Sequence, residues 1–172
     1  MADKLTFQPG FRQRTNGNYD DYFVNGQRLA DTLRIGDFIP PFGWLDKAVE
    51  SRFAEMLLRK TPSDLRKGRV PLFVCPECVD YGCGVGTCMI DREGDLIAWR
   101  DFGWETDYED DLIQDNRDRD LVLQFDCHAY WQTLSRYLTS SEQDGTGQPA
   151  TRPESDSEGS DKPQPESEGR SR

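Results

Sequence analysis

The chain has 172 residues, a formal net charge of −11 and 35% hydrophobic residues. This length allows one domain with its own hydrophobic core. The acidic balance repels phosphate backbones, so nucleic acid is excluded as an expected partner and a basic protein is favoured. No apolar run approaches the roughly 20 residues that cross a bilayer, so we expect no membrane partner.

The compartment is predicted from the N-terminus and the cysteines. The N-terminal sequence MADKLTFQPG lacks the apolar segment of a signal peptide. The five cysteines are an odd number, which argues against a framework of disulfides. We therefore expect a soluble, cytoplasmic protein whose thiols stay reduced.

Residues 140–172 differ in composition from the rest of the chain. They contain no Leu, Ile, Val, Phe, Tyr or Trp, and Ser, Glu, Asp, Gly and Pro dominate. Such a segment cannot bury enough apolar surface to offset the entropy lost on ordering. We predict a single folded domain over residues 1–139, followed by a disordered acidic tail over 140–172 that folding does not require.

The first predicted elements are strands separated by turns. Residues 5–14 and 19–24 are rich in aromatic residues and favour strands, with a turn at Asn16-Gly17 between them. Asn25-Gly26 is typical of a tight hairpin, because both residues tolerate positive φ.

Two later segments carry apolar residues at helical spacing. The first covers residues 45–60 and ends at Thr61-Pro62, because proline restricts the residue before it. The second begins after Asp126, whose carboxylate can cap the first turn, and continues to about residue 138. We expect its apolar stripe to be buried; the stripe comprises Cys127, Tyr130, Trp131, Leu134, Tyr137 and Leu138.

Four more strands are predicted between and beside these helices, over residues 70–74, 85–91, 95–102 and 121–125. Gly94 lies in a turn that joins the second and third of them into a hairpin. The order of elements predicts an α+β fold with one mainly antiparallel sheet and two amphipathic helices packed on one face.

Four cysteines have the spacing C-x2-C-x4-C-x4-C, namely Cys75, Cys78, Cys83 and Cys88. This spacing is typical of a zinc knuckle, in which four thiolates surround a structural Zn²⁺. However, residues 85–90 favour a strand, and an extended strand would carry Cys88 about 16 Å from Cys83. Cys88 would then be a small buried apolar residue.

Cys75 and Cys78 also form a C-x-x-C pair of the kind found in redox proteins. Glu77 and Asp80 disfavour this interpretation, because nearby carboxylates raise the pKa of a thiol. Of the three interpretations of these cysteines, reduced structural cysteines rank first, a structural zinc ion second and a redox pair third.

The densest acidic run follows the predicted hairpin. It matches no calcium-binding loop, so a solvated loop is the first interpretation and a docking surface for a basic partner the second. The candidate partner-binding residues are Glu105, Asp107, Glu109, Asp110 and Asp111. His128, the only histidine, is predicted to face solvent, and no catalytic group is assembled around it.

Several runs resemble a family of small uncharacterised bacterial proteins that are common in actinobacteria and sometimes loosely labelled oxidoreductases. The runs include Gly68-Arg69-Val70, Val74-Cys75-Pro76-Glu77-Cys78, Gly82-Cys83-Gly84, Trp99-Arg100-Asp101-Phe102-Gly103 and Glu105-Thr106-Asp107-Tyr108. The resemblance implies that the first three cysteines belong to the family pattern, whereas an aliphatic residue often stands at the position of Cys88. It implies no established activity.

These observations predict a protein-interaction module, of the immunity or regulatory kind, that binds a basic partner through its acidic surface. The alternative is a cysteine-based redox or metal-dependent protein that uses Cys75, Cys78 and Cys83. No cofactor other than a structural zinc ion is expected.

Overall fold

A computed structural model describes residues 1–114 and 119–139. The predicted tail lies outside the described residues, as do residues 115–118. The α+β class is confirmed, because antiparallel strands and helices both contribute to the fold. The strands form two sheets rather than the single sheet that the sequence predicts.

The first sheet has three strands, β1 (Leu5–Arg12), β2 (Gly17–Val24) and β3 (Gln27–Arg28), in that order. Asn25 and Gly26 take φ values of 52° and 81°, so the predicted hairpin turn is confirmed. Strand β3 leads directly into a short helix, α1 (Leu29–Thr32), which ends the sheet.

The second sheet has four strands in chain order, β4 (Val70–Phe73), β5 (Val85–Glu93), β6 (Leu96–Glu105) and β7 (Leu123–Asp126). The β5–β6 hairpin turns at Gly94, whose φ is 64°. An isolated bridge between Ile39 and Val74 connects the chain after α1 to the end of β4. The predicted strands are therefore present, but the short strand β3 is additional and the strands are divided between two sheets.

Two longer helices contact the four-stranded sheet, α2 (Lys47–Leu57) and α3 (Cys127–Ser135). The predicted cap of α3 is confirmed, since Asp126 Oδ1 accepts a hydrogen bond of 2.9 Å from the Ala129 N–H. The predicted stripe of α3 is wrong at one position: Leu134 is buried, but Trp131 is 51% exposed. Within the described residues, no helix is long and apolar enough to cross a membrane.

The core is aromatic and is shared by both sheets. The ring of Tyr22 in β2 lies 5.6 Å from the ring of Phe73 in β4 and 5.8 Å from that of Trp99 in β6. Edge-to-face contacts of this kind stabilise a core beyond the burial of apolar area alone. Because Tyr22 belongs to one sheet and its neighbours to the other, the two sheets enclose one core.

Candidate metal centre

Three thiols meet in the loop between β4 and β5. The sulfur atoms of Cys75, Cys78 and Cys83 all lie within 4.8 Å of one another, and Cys78 Sγ lies 3.4 Å from Cys83 Sγ. Around a tetrahedral zinc ion with bonds of 2.3 Å, sulfur atoms are about 3.8 Å apart. The three thiols can therefore share one ion after small movements of their side chains.

The first half of this loop is a tight turn that begins directly after the Val74 bridge. The N–H of Val79 donates a hydrogen bond of 3.1 Å to the Cys75 carbonyl, which closes the turn around Pro76 and Glu77. Val79 takes φ of 62°, a conformation that is rare for a β-branched side chain. Such strain persists only where the surrounding structure imposes it, and it is concentrated at functional sites.

The second half brings Cys83 back toward Cys78. Asp80 Oδ1 accepts a hydrogen bond of 2.7 Å from the Gly82 N–H and so caps a short 3₁₀ turn over Tyr81–Cys83. Gly84 then takes φ of 100°, and a Cβ placed on it would lie 2.2 Å from the ring of Trp104. Only glycine fits this conformation and this close approach.

The electrostatic surroundings favour a thiolate at Cys75. Burial opposes its ionisation, but the backbone N–H groups of Glu77 and Cys78, with the neighbouring thiols, lower the pKa of Cys75 below its ordinary value. Hydrogen bonding with Cys78 raises the pKa of Cys83 to about 12. In the metal-free loop, Cys75 is thus the first of these two thiols to ionise, and a cation must displace the proton of Cys83.

Cys88 does not join the group. It lies in β5 opposite Val70, is fully buried, and burial raises the pKa of its thiol. The strand prediction for residues 85–90 is confirmed, and the extended backbone is the reason that Cys88 is kept apart from the three thiols. The predicted four-cysteine set is therefore corrected to three.

The tip of the β1–β2 hairpin contacts the cysteine loop. Arg12 Nη1 donates a hydrogen bond of 3.0 Å to the Pro76 carbonyl, and its guanidinium lies 4.3 Å from the centre of the Trp44 ring. Arg14 Nε lies 3.4 Å from a carboxylate oxygen of Glu77. The sequence does not predict these contacts, because their partners are more than 30 positions apart.

The predicted partner-binding acids divide into two groups. Glu105 is corrected, because its side chain is only 11% exposed and lies 3.4 Å from Arg69 Nε. The other four are exposed; they are Asp107, Glu109, Asp110 and Asp111. Asp110 pairs with Arg66 at 2.9 Å, and Asp107 lies beside Gly82 of the cysteine loop.

Arg69 is a polar core residue that sequence reasoning missed. It is 4% exposed, and its Nε donates a hydrogen bond of 2.9 Å to Thr87 Oγ1. Its Nη2 donates to the carbonyl oxygens of Thr87 and Asp101. Buried arginine is tolerated where its N–H donors have hydrogen-bond partners. The one indication of this burial in the sequence is that Arg69 directly precedes an apolar strand.

Comparison with models of protein families, with curated proteins and with solved structures finds no match to the chain. The resemblance to small actinobacterial proteins stays a prediction. The chemistry open to the site therefore follows from its three thiols, which can coordinate a soft cation or, on oxidation, form a disulfide.

Proposed function

We propose that this protein is a zinc-dependent interaction module, in which Cys75, Cys78 and Cys83 hold one Zn²⁺ and fix the loop between β4 and β5. The observation that carries the proposal is the grouping of three thiol sulfurs within 4.8 Å of one another. Thiolates are the ligands that select Zn²⁺ over hard cations such as Mg²⁺ and Ca²⁺.

The exposure of the thiols supports a zinc ion with one coordination position open to water. Cys78 and Cys83 are exposed, and Cys75 is partly exposed. Zn²⁺ bound by three thiolates carries a net charge of −1, which exposure to solvent stabilises. A closed structural site would instead contain four protein ligands, and the described residues provide three in this group.

The competing functions of the same thiols are less well supported. A redox pair of Cys75 and Cys78 could use the lowered pKa of Cys75, but it gives no role to Cys83, whose sulfur lies 3.4 Å from that of Cys78. Cysteines with a purely structural role need not lie close together. Here a strained turn and a capped 3₁₀ turn place the three thiols next to one another.

Metal analysis of protein purified without chelator tests the zinc proposal. We expect about one equivalent of zinc in the parent protein and a loss of zinc in Cys75→Ser, Cys78→Ser and Cys83→Ser. Cys127→Ser is the matched control, because Cys127 lies at the start of α3 outside the group and should leave the zinc content unchanged. Absence of zinc in the parent, with or without added metal, contradicts the proposal.

The partner of the module is proposed to be a basic protein that docks on the segment Asp107, Glu109 and Asp111, with Tyr108 at its centre. Tyr108 is 65% exposed between these carboxylates, an aromatic side chain of the kind that anchors interfaces. Glu109 and Asp111 pair with no cation among the described residues, so both are free to meet one. The segment also adjoins the cysteine loop, through Asp107 and Gly82.

A short lysine-rich peptide tests this surface. Its affinity should fall as salt rises, because exposed charges are screened over about 8–10 Å near physiological ionic strength. Charge reversal at Glu109 and Asp111 should weaken binding, whereas the control Asp95→Lys, in the β5–β6 turn, should not. Affinity that ignores both salt and the double reversal rules out this docking surface.

A further inference from the structure

A groove lies at the junction of three elements, on the surface formed by the end of α2, the β5–β6 hairpin and the first turns of α3. Its volume is about 590 Å³, within the range of about 300–1,000 Å³ that is typical of ligand sites. The residues that define its character are Leu58, Arg59, Arg92, Ile97, His128 and Trp131. Neither the zinc proposal nor the acidic segment involves any of them.

The apolar wall of the groove is formed by Trp131, with Ile97 and Leu58. Trp131 is 51% exposed, although the sequence predicts that it is buried. Tryptophan has a large apolar area and a polar N–H, which makes it the side chain most enriched where interfaces bind strongly. Ile97 and Leu58 are partly buried against the core and continue the wall.

The charged rim of the groove is cationic. Arg59 forms no ion pair with any of the described residues, and Arg92 donates only to the carbonyl of Gly94, at 3.0 Å. His128 is exposed beside them, and none of the acidic residues that the structure describes lines the groove. In a chain with a net charge of −11, two arginines without an ion-pair partner among the described residues thus flank an exposed indole.

The positions of these groups define the chemistry of an occupant. Arg92 in β5 pairs in register with Ile97 in β6, so a guanidinium and an apolar side chain are direct neighbours across the hairpin. Arg59 follows α2 on the other side, with φ of 55°, and Trp131 lies in α3. An occupant must place an apolar group against Trp131 and negative charges toward Arg59 and Arg92.

We propose that this groove binds an acidic peptide segment of a partner protein, with one large apolar side chain packed against Trp131 and flanking carboxylates paired with Arg59 and Arg92. Arginine and carboxylate form strong, bidentate pairs, which give such a site its specificity. A polyanion such as nucleic acid or an anionic membrane would extend beyond the groove and be repelled by the net negative charge of the rest of the protein. A short acidic segment therefore fits better.

The test uses the full chain and a fluorescein-labelled peptide in which one phenylalanine is flanked by glutamates, with binding followed by fluorescence anisotropy. We expect saturable binding that weakens as salt rises. Trp131→Ala and the double variant Arg59→Glu, Arg92→Glu should each weaken it at least tenfold. The matched control is Lys4→Glu, an exposed charge reversal outside the groove, which should bind like the parent.

Folding and metal are controlled separately. Each variant is compared with the parent by thermal unfolding, and Trp131→Phe, which keeps an aromatic ring, should retain most of the affinity. Cys75→Ser should bind the peptide like the parent, because the groove is independent of the zinc site.

Four outcomes overturn the proposal. One is equal binding of a peptide with lysines in place of the glutamates. A second is unchanged affinity in folded Trp131→Ala. A third is tighter binding to vesicles of phosphatidylserine than to the peptide, which would make the groove a membrane-binding surface. The fourth is self-association of the parent that Trp131→Ala abolishes, which would make the occupant a second copy.

Discussion

Tyr130 joins three elements of the core through one hydroxyl group. The side chain is 2% exposed, and its hydroxyl donates a hydrogen bond of 2.9 Å to the Leu57 carbonyl at the end of α2. The same hydroxyl accepts a hydrogen bond of 3.0 Å from Trp99 Nε1 in β6. Helix α3 is thereby tied both to the C-terminus of α2, where carbonyl groups lack helical partners, and to an interior strand.

We predict that Tyr130→Phe lowers the free energy of unfolding by about 2–6 kcal/mol. The substitution removes one hydroxyl and leaves two buried groups, the Leu57 carbonyl and the Trp99 N–H, without that partner, at roughly 1–3 kcal/mol each. The ring itself is kept, so its contacts with Phe125 and Trp99, at 5.6 and 6.0 Å between ring centres, remain. The substitution therefore creates almost no cavity, and the loss of unfolding free energy measures the contribution of the hydrogen bonds.

Urea unfolding followed by circular dichroism measures this loss. The midpoint should shift while the slope m stays constant, because the area exposed on unfolding hardly changes. Tyr108→Phe is the matched control, since Tyr108 is 65% exposed and its substitution should change stability by less than about 0.5 kcal/mol. A loss below about 1 kcal/mol for Tyr130→Phe at constant m would refute the bridging role of the hydroxyl.

Three further predictions concern a core residue, a glycine and a buried acid. Leu134→Ala should cost about 2–5 kcal/mol in urea unfolding, because Leu134 is fully buried; a cost near zero would show that α3 packs in another register. Gly84→Ala should lower the thermal midpoint by several degrees, because the new Cβ meets Trp104 at a φ of 100°; an unchanged midpoint would contradict the close approach. Burial raises the pKa of Glu105, although Arg69 opposes the shift, so folding favours the protonated carboxyl and its stabilising contribution declines as pH rises through the raised pKa. The free energy of unfolding of Glu105→Gln, measured against pH, should not show this decline. If the pH profiles of the variant and the parent run parallel, the raised pKa of Glu105 is contradicted.

Local signals in the sequence predict the elements and much of the cysteine loop. The turn at Asn25-Gly26, the cap at Asp126 and the strand that removes Cys88 from the thiol group all depend on neighbours within a few positions. The steric and hydrogen-bonding preferences of these residues act over that distance, so the structure agrees with them. The meeting of three thiols also follows from short spacing combined with turns.

The features that the sequence did not predict depend on contacts between distant segments. Trp131 belongs to an apolar stripe by spacing, but the packing of α3 against the sheet leaves it half exposed. Glu50 is the opposite case, a charged residue that is 1% exposed in α2 while the neighbouring Val49 faces solvent. Its carboxylate accepts hydrogen bonds from the N–H groups of Gly43 and Trp44, at 2.6 and 3.0 Å, a need that helical periodicity cannot reveal.

X-ray absorption at the zinc edge, on protein purified without chelator, tests the central claim most directly. Three thiolates and one solvent position should give about three sulfur neighbours at roughly 2.3 Å and one lighter oxygen or nitrogen neighbour. Cys83→Ser, which should lose its zinc, should give no such signal, whereas in Cys127→Ser the sulfur count should stay at three. Four sulfur neighbours in the parent, or zinc surrounded by oxygen and nitrogen alone, would contradict a centre built from Cys75, Cys78 and Cys83.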